Sequence, residues 1–284
     1  MSESSAGSGT PLADLLTALL DERARLVELL AAVPEAEWRT RPPSGGWTVA
    51  DHVIQLALLD EAATLAVTAP QRFATHARGR RGGGPSAPGD VDARAGSRPA
   101  PGLLRWLGRT QRALVKAYRT VDATHRVPWY GTELDAGAVL AARLTETWAH
   151  GWDLATMLGA QWPPTDRLRP VADLAVRSLG PSFEQLERPA PTVPVRIELT
   201  GPGGELWTWG REHARDRVTG AAEDLCLVLT GRRRVTEVAL DVSGVVVGEW
   251  LAIGRAYPGA PDQASLRRSG DTPADHSSGG VPVS

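Results

Sequence analysis

Glu146 and His150 stand four residues apart in LTETWAHGWDLATML, residues 144–158. If the stretch is helical, that spacing puts a carboxylate and an imidazole on one face. His52, in GWTVADHVIQ, adds a second imidazole near the start of another apolar-periodic segment. Helices of a bundle can direct such residues into a shared interior. Two imidazoles and one carboxylate then suit a divalent metal, with at least one position left for water or substrate. The competing reading is plain: i,i+4 pairs of this kind are routine on solvated helix faces and are worth a few tenths of a kcal/mol. The apolar flanks of both ligand candidates weigh against it, because an unpaired charge among them is costly. Asp153, three residues past His150, can orient a ligand from behind or serve as a surface or capping residue.

Other residues offer weaker chemistry. Arg143, one turn before Glu146, can hold an anionic substrate or join a surface ion pair. Trp129 and Tyr130, in PWYG just before the Glu146 segment, can face substrate or simply pack. Cys226 lies in the apolar stretch EDLCLVLTG and reads as a buried structural thiol. His76, His125, His213 and His276 have no spacing partner and read as solvated. Arg232, Arg233 and Arg234 follow Gly231 and read as a solvated turn. The GPGG at 201–204 reads as a hairpin turn and not a phosphate loop, since no helix follows it.

The elements that must position these residues are legible from periodicity. Residues 12–33 repeat apolar positions at helical spacing and stop before Pro34. A second helix starts at Thr48, an N-cap with Asp51 three residues on, and runs to about residue 68. Residues 78–102 are rich in Gly, Pro and Arg and read as a loop, either a lid or an inert excursion. Helices follow over about 102–121, 136–158 (with Gly159 past its end) and 166–187. After residue 194 the period changes. VRIELT and ELWTWG alternate as two strands around the GPGG turn. AAEDLCLVLTG reads as a helix, VTEVALDV as a strand and VVVGEWLAIGRAY as a last helix. The expected architecture is mainly α: a disordered N-terminus over 1–11, a metal-binding helical bundle over 12–188, a small α+β domain over 191–258 and a disordered tail over 259–284.

Composition narrows the function classes. A net charge of −2 gives no reason to expect nucleic acid or an anionic membrane as partner. No apolar run approaches the roughly 20 residues of a membrane span, and the polar N-terminus carries no secretory h-region. The single cysteine excludes an internal disulfide and suits a reducing cytoplasm. A small organic molecule is the expected partner, with the protein a monomer or homodimer. No Ser/His/Asp or Cys/His arrangement supplies a protein nucleophile.

GWTVADHVIQLALLDEA followed far downstream by ARLTETWAHGWDLATMLG resembles the DinB-like superfamily, and within it the mycothiol-dependent maleylpyruvate isomerase group and its metal-binding relatives. RVPWYG and TDRLRPVADLAVRS fit those relatives too, and the resemblance spans about residues 12–258. It implies a DinB-like four-helix bundle with a small C-terminal α+β domain. It also implies a metal triad at His52, Glu146 and His150, usually holding zinc, and mycothiol as a candidate cofactor. The implied activity is isomerisation or thiol transfer on a small metabolite. A thiol-independent lyase, hydrolase or cyclase of specialised metabolism and a non-catalytic metal-stabilised module are the alternatives.

Overall fold

The protein is described here by a computed structural model covering residues 10–42, 46–78, 98–130 and 132–256. The expectations for the extreme N-terminus, for most of the Arg/Gly-rich stretch and for the tail beyond residue 256 lie outside the described residues.

Four long helices form the first part: α1 (Leu12–Ala31), α2 (Val49–Thr68), α4 (Ala100–Tyr118) and α5 (Ala136–Met157), with a short α3 (Pro70–Arg78) after α2. Thr48 caps α2 as its sequence promises. Its Oγ1 accepts from the Asp51 backbone N–H at 3.2 Å, and Asp51 Oδ2 accepts from the Thr48 N–H at 2.8 Å. α2 packs against α4, α1 packs against α5, and α2 also meets α5. α2 and α5 are buried on nearly every side, as expected of helices apolar all round. Polar residues on these two helices are therefore enclosed, and their contacts decide what they can do.

Between α4 and α5 the chain makes a two-stranded hairpin, β1 (Arg126–Trp129) with β2 (Thr132–Asp135). Sequence periodicity marks only the helices on either side of this hairpin. The α4 start is also earlier than expected, at Ala100. The single helix expected over 166–187 is two, α6 (Leu168–Arg177) and α7 (Leu179–Glu184). Pro181 explains the break, since it has no N–H to give the carbonyl four residues back.

The second part holds a four-stranded sheet in the order β4-β3-β5-β6. β3 (Val195–Thr200) and β4 (Leu206–Gly210) form the expected antiparallel pair. β5 (Asp216–Ala221) lies parallel to β3 and leads directly into α8 (Ala222–Leu229). The segment read as the strand VTEVALDV contributes only β6 (Asp241–Ser243), before α9 (Val245–Ile253). Trp209 Nε1 donates to Asp173 of α6 at 2.8 Å, and the Arg169 guanidinium lies over the rings of Trp207 and Trp209. The fold is thus mainly helical with a small C-terminal sheet region, as the sequence implies.

Candidate metal centre

α2 and α5 run in opposite senses, so the first turn of α2 lies beside the C-terminal part of α5. His52 and His150, 7% and 3% exposed, meet there. Their Nδ1 atoms are 2.7 Å apart and their rings are nearly perpendicular, at 78°. His150 Nε2 faces the other way, 3.1 Å from Glu146 Oε2. When Nε2 carries its hydrogen, an ionised Glu146 accepts a hydrogen bond from it, and the Nδ1 side of the ring faces His52. Half-buried Trp47 closes one side, stacked on His150 at 5.5 Å and edge-on to His52 at 5.4 Å.

Asp153 joins this group. One ligand atom from each of His52, His150 and Asp153 falls within 4.8 Å of the others. Arg232 holds the Asp153 carboxylate with two contacts, Nη2 to Oδ2 at 2.8 Å and Nε to Oδ1 at 3.3 Å. This arginine comes from the loop after α8, so the C-terminal part contributes directly to the cluster. Its placement has a local cause. Gly231, at φ 78°, closes α8 in a Schellman motif, in which the Gly231 N–H bonds Val228 O and the Arg232 N–H bonds Leu227 O. The turn carries Arg232 back onto α5, and Arg233 lies over the Trp152 ring beside it.

The charges are consistent with an ion-binding role. Burial, with the nearby His150, pushes His52 down to about 3, so its imidazole is neutral near pH 7 and has a lone pair to give. Burial works to raise the Glu146 carboxyl, but the His150 hydrogen bond and the charges of His150, Arg143 and Arg232 outweigh it and hold the group at about 2. Burial also opposes ionisation of Asp153, and Arg232 overcomes it. A neutral His52, the His150 imidazole beside it and the ionised Asp153 carboxylate are a donor set that fits a divalent cation, with the Glu146 carboxylate on the far side of His150.

The structure thus brings together His52, Glu146, His150 and Asp153, with Glu146 and His52 touching opposite nitrogens of the His150 ring. It places Arg143 elsewhere: 1% exposed and paired with Asp60 of α2, with Nε 3.3 Å from Oδ1. The ion pair expected at the surface is in the core, because α5 has almost no solvent face. Tyr130, half-buried at φ 29°, packs edge-on against Phe73 and Trp129, and Trp129 stacks on Phe73. Arg232 was missed, since three successive arginines after a glycine read as a solvated turn. The residue after a C′ glycine normally makes an apolar contact back to its helix, so a charge at that position was the available signal. A surface cleft of about 300 Å³ between α2 and α4, lined by residues such as Glu61, Trp106 and Thr110, includes none of the cluster residues.

Comparison with known proteins places the chain in a family. The family model described as the mycothiol maleylpyruvate isomerase N-terminal domain matches residues 19–155, which include His52, Glu146 and His150. Two uncharacterised Mycobacterium tuberculosis proteins, MT0041 (strain CDC 1551 / Oshkosh) and Rv0036c (strain ATCC 25618 / H37Rv), are each 35% identical over 234 residues, 82% of this chain and 91% of theirs. Two solved structures share the fold at TM-scores of 0.53 and 0.51: the H52A mutant of a mycothiol-dependent maleylpyruvate isomerase, 18% identical, and the mycothiol-dependent maleylpyruvate isomerase, 16% identical. Each match covers 89% of this chain and 97% of the other. On the strength of relatives matched along nearly their whole length and a domain model spanning both helices of the cluster, the chain belongs to the mycothiol maleylpyruvate isomerase family.

Proposed function

We propose that the protein is a metal-dependent enzyme that uses a low-molecular-weight thiol, mycothiol in the first instance, to isomerise a small organic metabolite or to transfer the thiol to it. The observation that carries this reading is the facing pair His52 and His150 with two ionised carboxylates beside them. His52, Glu146 and His150 would hold the ion, zinc by donor type; as they stand, Asp153 is the acid that converges with both imidazoles and Glu146 faces the far nitrogen of His150, so ligation by Glu146 calls for a turn of the His150 ring. Asp153 has both oxygens engaged by Arg232 and is the poorer donor of the two acids. When bound, a divalent ion of this kind supplies Lewis acidity that favours the deprotonated form of a thiol.

The chain's own residues do the rest. Glu146 stands against His150 Nε2 and so orients the ring, with its Nδ1 toward His52. Trp47 shields one face of both imidazoles from water. Arg232 brings a positive charge from the C-terminal part to the rim of the cluster, where it holds Asp153 and favours an anionic ligand. Cys226 is not the nucleophile: it is buried in α8 with its thiol pushed well above the ordinary range by burial and by nearby Glu223 and Asp173. A free thiol cofactor then takes that role. Among the described residues no helix is long and apolar enough to cross a membrane.

Cobalt substitution tests the thiol directly. Adding mycothiol to the cobalt-loaded protein should produce intense sulfur-to-metal charge-transfer absorption, and maleylpyruvate is the first substrate to assay with it. An unchanged spectrum at millimolar thiol moves the reading to a thiol-independent lyase, hydrolase or cyclase.

A further inference from the structure

A second group of charged residues lies inside the bundle, one step along α5 from the metal centre. Arg23 of α1, Asp60 of α2 and Arg143 of α5 are each 1% exposed. Asp60 Oδ1 accepts from Arg143 Nε at 3.3 Å and from Arg23 Nη2 at 3.4 Å, and Arg23 Nη1 stands 3.3 Å from Oδ2. Arg23 Nη2 also donates to Thr147 Oγ1 at 3.1 Å. Two guanidiniums share one carboxylate, so the group retains one positive charge that it does not itself balance. Arg23 Nε and Arg143 Nη2 find no hydrogen-bond acceptor among the described residues.

The position of that charge matters. Thr147 directly follows Glu146, and Arg143 precedes Glu146 by one turn on the same face. Glu146 therefore lies on α5 between His150, four residues on, and Arg143 of the cluster, whose net charge is +1. A cluster needed only to tie α1, α2 and α5 together could be built from a single Arg–Asp pair, or from apolar residues at no cost in stability.

We propose that the Arg23–Asp60–Arg143 cluster tunes the metal centre electrostatically. Its unbalanced positive charge competes for the charge of Glu146, so that an ion at His52 and His150 is less fully neutralised, more weakly held and more electrophilic. Arg143 is on this account a positioning residue that acts through Glu146. The inference rests on the metal-binding reading above, and it makes a prediction of opposite sign from a structural role. Loss of a purely structural arginine loosens the site and weakens metal binding; loss of an opposing charge tightens it.

The test is the zinc dissociation constant of the full-length protein, measured by competition with a chromophoric chelator. Wild type and Arg143→Lys, which keep the charge, should agree within a few-fold. Arg143→Met, which leaves a neutral Arg23–Asp60 pair behind, should bind zinc about tenfold more tightly or better, the scale expected for one charge several ångströms away in partly screened surroundings. If Arg143→Met does not fold, Arg23→Met removes the same charge and leaves Arg143 on Asp60. Affinity equal to or weaker than wild type in the folded Met variant overturns the proposal, while zinc loss in His52→Ala shows the metal reading intact. Zinc retained in His52→Ala, or no zinc on the wild type, overturns the metal reading and the proposal with it.

Discussion

Arg232 and Asp153 are 79 positions apart in the chain and meet through a paired contact, Nη2 to Oδ2 at 2.8 Å and Nε to Oδ1 at 3.3 Å. The Arg232 side chain is 6% exposed and that of Asp153 26%, so the pair is partly desolvated and geometrically matched, unlike most surface ion pairs. It joins the α8 end of the C-terminal part to the helix that carries Glu146 and His150. Removing one partner leaves the other with an uncompensated charge. Arg232→Met and Asp153→Asn should each lower stability by roughly 1–3 kcal/mol, and the double variant should lose less than their sum. A double-mutant cycle in urea checks this. Strict additivity would mean that the pair carries no coupling and that the loop docks by other contacts.

The same pair separates the roles of the two acids. Glu146→Gln should cost the protein more of its metal than Asp153→Asn does, because the Asp153 charge is already answered by Arg232. His52→Ala and His150→Ala should remove most of it. Elemental analysis of the purified variants reads all four. Greater metal loss in Asp153→Asn than in Glu146→Gln would make Asp153 the ligand and leave Glu146 to orient His150 from behind.

Much of this site could be read from spacing. The capped start at Thr48 and Asp51 located His52 in the first turn of its helix, and the 146/150 interval put Glu146 and His150 on one face. Gly159 marked the helix end correctly: at φ 64° it closes a Schellman motif, with the Ala160 N–H on Ala155 O. What could not be read was which charges the core would enclose. Arg143 and Arg232 looked like surface residues because local sequence does not show that α5 is covered all round or that the α8 turn folds back onto it. The missed strands have local causes. Pro128 within β1 counts against a strand, and β5 is short, starts on two charged residues and runs straight into a helix, so neither alternates cleanly.

Cys226 should prove chemically silent. It is fully enclosed in α8, and burial disfavours its thiolate. The folded protein should resist iodoacetamide at pH 8 while the urea-unfolded protein reacts at once, and Cys226→Ala should keep metal and turnover with a modest loss of stability. Rapid alkylation of the folded chain, or a folded Cys226→Ala protein without activity, would restore Cys226 as a candidate nucleophile.

Gly151, the residue after His150, meets the ring of Trp162 with no room to spare. A Cβ at position 151 would stand 2.2 Å from the nearest ring carbon of Trp162, far inside van der Waals contact. The indole cannot easily withdraw. It is 7% exposed, and the Arg25 guanidinium lies over the ring, 3.8 Å from its centroid, while Arg25 Nη1 donates to Pro163 O at 2.9 Å. Gly151→Ala must therefore displace α5 or the Trp162 segment, at about 1–3 kcal/mol for overpacking, against a gain of up to about 1 kcal/mol in helix propensity. Because the neighbouring residue is His150, the displacement should also weaken zinc binding. Trp162→Leu should recover most of both losses in the Gly151→Ala background by clearing the space. Urea unfolding and zinc competition on the single and double variants measure the two effects. A Gly151→Ala protein as stable as wild type, with unchanged zinc affinity, would show that Trp162 moves freely and does not hold this part of α5 in place.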